Sequence, residues 1–141
     1  MSEQNKALVR SYLERTVNEG DPSAFDELTS ADYVGHMSGA PDFDRAAHKQ
    51  LMASFRAAFP DLRVRVEELI AEGDKVVNRG TYSGTHRGAF QGIAPTGKSF
   101  EIAGINVSRI ADGKVAEDWT VIDMLGMLRQ LGVVPAPGAP A

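Results

Sequence analysis

The chain has 141 residues, 43% hydrophobic and 24% charged, with 15 basic and 19 acidic side chains for a formal net charge of -4. That length fits one domain with a single core, and the balance excludes a disordered chain and argues against a nucleic-acid surface, which needs clustered Lys and Arg. Cysteine is absent, which removes disulfides, thiol nucleophiles and Cys-based metal sites. The stretch from Met1 to Asn18 lacks the apolar core of a signal peptide, so the expectation is a cytoplasmic protein with no membrane partner.

In chain order, Leu8, Tyr12, Leu13, Thr16 and Val17 recur at helical spacing and predict a first helix from about Glu3 to Glu19, ended by Gly20. Asp21-Pro22 reads as an N-cap and first-turn proline opening a short helix through Leu28. Ala31 to Met37 is a short strand-like stretch. A third helix fits Phe43 to Phe59 and stops at Pro60, since the residue before proline resists helical angles.

From Leu62 the period becomes two. Leu62, Val64 and Val66 alternate with Arg63, Arg65 and Glu67, and Lys75 to Tyr82 returns as a partner strand after Glu72-Gly73-Asp74. Ser99 to Ile110 and Val115 to Val121 flank Asp112-Gly113, the pair a tight type I′ hairpin turn requires. Met124 to Leu131 is a closing helix. The segment Ser83 to Lys98 carries Phe90, Ile93 and Pro95 and is too apolar to be a solvated connector. The prediction is one α+β domain over residues 1–132, a curved antiparallel sheet wrapped around the helices with a central pocket. Residues 133–141, rich in Pro, Ala and Gly, form an extended tail.

Several stretches resemble the SnoaL-like polyketide cyclases of the nuclear transport factor 2-like superfamily. They are Asn5 to Arg10, Phe59 to Leu62, Gly84 to Lys98, and Arg109 to Val115 continuing through Glu117, Trp119 and Asp123 to Leu128-Arg129-Gln130-Leu131-Gly132. The resemblance implies a cone-shaped fold whose convex sheet face packs against a second copy, and Val64, Val77 and Val107 are apolar candidates for that homodimer. It also implies an aspartate late in the last strand as acid/base for an aldol ring closure, beside a histidine on the preceding strand. With the hairpin in register these positions fall on Thr120 and Asn106, neither of which exchanges a proton near neutral pH.

Other groups are therefore candidates for the chemistry. Asp123 is either a base at the pocket mouth or the N-cap of the closing helix. Asp118, on the same strand face as Thr120 and Ile122, is a rival base or an exposed edge residue. Asn106 is a carbonyl-orienting amide or a sheet-surface residue. Relatives commonly direct an aromatic residue and a histidine near Tyr33 and His36 into the cone, so both are pocket candidates, with a loop histidine as the alternative for His36. Trp119, Thr120, Phe59, Phe90 and Met124 are candidate substrate-binding residues or, for the apolar ones, plain core.

His86 reads as a residue holding its loop, and His48, mid-helix, as solvated. The three histidines lack paired spacing, so no metal site is expected. There is no phosphate loop or dinucleotide fingerprint, hence no cofactor. These features point to a cofactor-independent cyclase or isomerase acting by proton transfer on a small apolar carbonyl compound. The alternatives are a binding module for a hydrophobic molecule and a dimerisation domain.

Overall fold

A computed structural model describes residues 2–135; the expected tail lies outside the described residues from position 136 on. Helix α1 (Ser2–Leu13) runs into a π-helical turn, Glu14–Asn18, where an uninterrupted α-helix is expected. The wider turn delivers Asn18 to the sheet. Its side chain accepts from Val64 N at 2.7 Å and donates to Val64 O at 3.0 Å, satisfying backbone groups that an edge strand leaves unpaired. Helix α2 (Ser23–Leu28) leads directly into strand β1 (Thr29–Met37). Helix α3 (Arg45–Ala58) starts at an Asp44 cap that accepts from Ala47 N at 2.8 Å, and it stops two residues before Pro60.

Strands β2 (Arg63–Glu72), β3 (Lys75–Thr85), β4 (Ser99–Ala111) and β5 (Lys114–Ile122) form antiparallel pairs in sequence order, with helix α4 (Met124–Gln130) closing the chain. Asp112 and Gly113 both have positive φ, 51° and 74°, as a type I′ turn demands. One pairing differs from the antiparallel expectation. β1 joins the sheet at its far edge, beside β5 and parallel to it, giving the order β1-β5-β4-β3-β2.

Register sets the two faces. Val76, Ser108 and Asp118 form one cross-sheet row toward the helices, and Asn78, Asn106 and Thr120 form the next. Ile70, Val77, Val107 and Trp119 make a row on the opposite, outward face. Val64, expected outside with Val77 and Val107, is instead buried against the helices, because it alternates into phase with the inward row. The core joins Val9, Leu13 and Phe25 to Phe59, Val76, Phe100 and Met127. The segment after β3 folds over it, with Phe90 packed on Phe55 and Phe59 at 5.5 and 5.3 Å. His86 pins that segment through Thr96 N, 3.2 Å from its Nδ1.

Candidate active site

Strand β5 alternates, so Asp118, Thr120 and Ile122 face inward together. They line a cavity between the sheet and helices α1 and α3. Leu13, Val17, Met52, Phe55, Phe100 and Met127 make most of the wall apolar. The polar members are Tyr12, Thr16, His48, Tyr82, Asn106, Asp118 and Thr120.

Asp118 is the centre of these groups and is only 2% exposed. Its Oδ2 accepts from the hydroxyls of Tyr12 and Tyr33, each at 2.9 Å, and its Oδ1 accepts from Ser108 Oγ at 2.6 Å. Burial pushes its pKa up, because desolvation disfavours the charged form; the hydroxyl donors pull the other way without cancelling it. The same carboxylate, with burial as the larger cause, pushes up the phenols of Tyr12 and Tyr33, and Tyr82 rises to about 12. Ser108 Oγ also stands 2.9 Å from Asn106 Oδ1, and Asn106 Nδ2 donates to Thr120 Oγ1 at 2.7 Å. In the same row, the buried amide of Asn78 has no hydrogen-bond partner among the described residues.

His48 stands on α3 facing this network, not in solvent as its polar neighbours in sequence suggest. Its ring stacks on Tyr33 at 5.4 Å and is boxed by Phe25 at 4.8 Å and Phe43 at 5.2 Å. Burial there lowers its pKa to about 4, so it is neutral at physiological pH. Its Nδ1 lies 3.3 Å from Tyr12 Oη.

Other expected site residues stand elsewhere. Asp123 is exposed and accepts from Gly126 N at 2.8 Å, so it is the N-cap of α4 and does not reach the cavity. His36 lies on the outer side of β1, its Nε2 2.6 Å from Glu117 and its Nδ1 2.8 Å from Asp42, with its pKa raised by those carboxylates. It stacks on Trp119, which is 37% exposed on the outward face. Phe59 and Phe90 are core; Phe59 packs between Phe90 and Phe100. Met124 lines a second hollow that shares Met37, Phe55 and Ile122 with the cavity. Asn106, Thr120, Tyr33 and Asp118 do come together. Tyr12 and His48 are the additions, and Tyr12 carried only the signal of an apolar helix stripe.

Among the described residues no group of three or more His, Cys, Asp or Glu side chains could hold a metal, and no helix is long and apolar enough to cross a membrane.

A helix-lined cone with a polar cluster at the floor of an apolar cavity defines a nuclear transport factor 2-like domain. The chain belongs to the SnoaL-like polyketide cyclase family, whose model matches residues 7–131. It is 32% identical over 121 residues to nogalonic acid methyl ester cyclase of Streptomyces nogalater, covering 82% of this chain and 88% of that one. Among solved structures it is similar to AclR of Streptomyces galilaeus, a candidate hydroxylase, at 34% identity and a TM-score of 0.88, covering 99% of this chain and 87% of that one. It is also similar to IdmH of Streptomyces antibioticus, a candidate polyketide cyclase, at 33% identity and a TM-score of 0.82, covering 92% and 99%.

Proposed function

We propose that this protein is a cofactor-independent cyclase or isomerase that moves a proton on a polyketide-like ketone, with Asp118 as the carboxylate that holds the proton. The observation that carries this reading is a carboxyl group of raised proton affinity at the floor of an apolar cavity. A base must bind a proton firmly yet release it near neutral pH, and burial moves a carboxylate in that direction. The Asn106 amide and Thr120 hydroxyl stand beside it, able to hydrogen-bond a substrate carbonyl as negative charge develops on its oxygen. Tyr33 fixes the carboxyl group from the other side.

Family membership and the cyclase of Streptomyces nogalater support the polyketide class of substrate. Asn106 and Thr120 stand where the resemblance implies a titrating pair, which favours enolisation or isomerisation over the aldol closure that pair performs. Incubation with nogalonic acid methyl ester in D2O tests both points. The expected result is deuterium in the recovered ester above the buffer rate, with little ring closure, and loss of the exchange in Asp118→Asn. Exchange unchanged in that variant refutes the assignment. The outward row of Ile70, Val77, Val107 and Trp119 is the surface on which a second copy packs.

A further inference from the structure

Asp118 is poorly placed to meet a substrate carbon directly. Its Oδ2 already accepts two phenolic hydroxyls and its Oδ1 a serine hydroxyl, and only 2% of the residue is exposed. A proton arriving at this carboxylate most easily comes along a hydrogen bond that already exists.

One such bond leads outward. Tyr12 has a single hydroxyl proton and gives it to Asp118 Oδ2 at 2.9 Å. Its oxygen is then an acceptor, and the group facing it is His48 Nδ1 at 3.3 Å. The pairing requires the tautomer with hydrogen on Nδ1, which leaves Nε2 with a bare lone pair. Nε2 has no partner among the described residues, and His48 lines the cavity.

Resting on the reading that Asp118 holds the proton, we propose that His48 is the catalytic residue that touches the substrate, as the outer end of a His48–Tyr12–Asp118 proton relay. The substrate C–H bond breaks and a new N–H bond forms at His48 Nε2, with the electron pair left on the substrate as its enolate. The Nδ1–H proton passes to Tyr12 Oη, and the Tyr12 proton passes to Asp118 Oδ2. Histidine and tyrosine end neutral, and the negative charge has moved from carboxylate to substrate. Reversing the three transfers returns the proton to a second carbon or oxygen.

This route suits the surroundings. An imidazolium inside a box of Phe25, Tyr33 and Phe43 is costly, which is why the His48 pKa falls to about 4. The relay forms none. It only exchanges one neutral tautomer for the other while the carboxyl group, already raised in proton affinity, takes the charge change.

Nitrogen NMR of protein labelled at histidine, with His48 assigned through His48→Gln, tests the resting state without any substrate. The expected spectrum shows neutral His48 protonated on Nδ1 at pH 7, moving to the Nε2–H form in Tyr12→Phe. A wild-type His48 carrying its proton on Nε2 overturns the relay. Base-promoted ring opening of 5-nitrobenzisoxazole then tests the transfer. In that probe the base removes the C3 proton, the N–O bond breaks and its electron pair leaves on the phenolate oxygen. His48→Gln and Tyr12→Phe should each slow the opening by about 100-fold or more, with melting curves confirming that the variants fold. Tyr12→Phe keeps both His48 and Asp118, so a histidine that merely packs would not suffer from it. Full rate in Tyr12→Phe with loss in Asp118→Asn overturns the relay and leaves Asp118 as a direct base. Full rate in Asp118→Asn overturns both. If the wild type does not open the probe, the tautomer alone decides.

Discussion

Asn106 and Thr120 are directly opposed across the β4–β5 hairpin, and the amide nitrogen of the first lies 2.7 Å from the hydroxyl of the second. Both line the cavity. They occupy the positions at which the family resemblance implies a histidine and an aspartate, so the space for that pair is present while its protons are not. The double substitution Asn106→His with Thr120→Asp should fold, because it exchanges one hydrogen-bonded polar pair for another at the cavity wall. It should gain ring-closing activity on nogalonic acid methyl ester of at least tenfold over the wild type. Chromatography of the product measures this, and efficient closure by the wild type would show that the hairpin pair is dispensable.

Asp123 separates a cap from a base. It is exposed and bonded to Gly126 N. Asp123→Asn retains an oxygen acceptor at the N-cap, and activity and stability should both match the wild type. Asp123→Ala removes the acceptor and should cost about 1 kcal/mol in chemical denaturation, with activity again unchanged. A loss of rate in the asparagine variant at full stability would return the base to Asp123.

Protonation of His48 links its burial to acid stability. Its folded pKa of about 4 lies below the ordinary value of 6.5, so the unfolded chain binds the extra proton first as pH falls. The fold therefore loses stability between about pH 6.5 and pH 4 through this group. Two other groups act in the opposite sense. Asp118, with a raised folded pKa, and His36, raised by Glu117 and Asp42, both bind protons more tightly when folded and favour the fold at lower pH. Comparison with His48→Gln isolates the first effect. Relative to the variant, the wild type should weaken steadily from pH 6.5 to pH 4 in urea titrations. Parallel curves would place His48 in solvent.

The outward face gives an assembly prediction. Ile105 and Val121 are 50% and 57% exposed beside Trp119, and they form a cross-strand pair. The protein should scatter light as a dimer burying on the order of 1,000 Å² or more, and Val121→Glu should shift it toward monomer. A monomeric wild type at micromolar concentration contradicts this.

Much of the architecture was legible locally. Alternation set the inward face of β5, and Asp112-Gly113 announced its hairpin, since both signals depend on neighbours in the chain. The parallel β1–β5 pairing was not legible, because its partners lie over 80 residues apart and β1 carries no mark of its direction. Alternation itself forbids a pocket that holds both Trp119 and Thr120, which point to opposite faces, and the structure keeps only Thr120. Tyr12 looked like one more apolar stripe residue, and His48 like a solvated one. Their roles arise from contacts with elements remote in sequence: Tyr12 bonds a carboxylate 106 positions away, and His48 is enclosed by Phe25 and Tyr33.

In the proposed mechanism, burial at the cavity floor keeps the Asp118 carboxyl group ready to take up a proton. Carbon NMR titration of its carboxyl, assigned through Asp118→Asn, measures this directly. Burial outweighs the donors from Tyr12, Tyr33 and Ser108, so the midpoint should lie above the ordinary value of 3.8 and fall toward it when the cavity is opened to water by Met52→Ala. A midpoint below 3.8 in the wild type would mean that the hydroxyl donors hold Asp118 as a permanent anion that does not take up the substrate's proton.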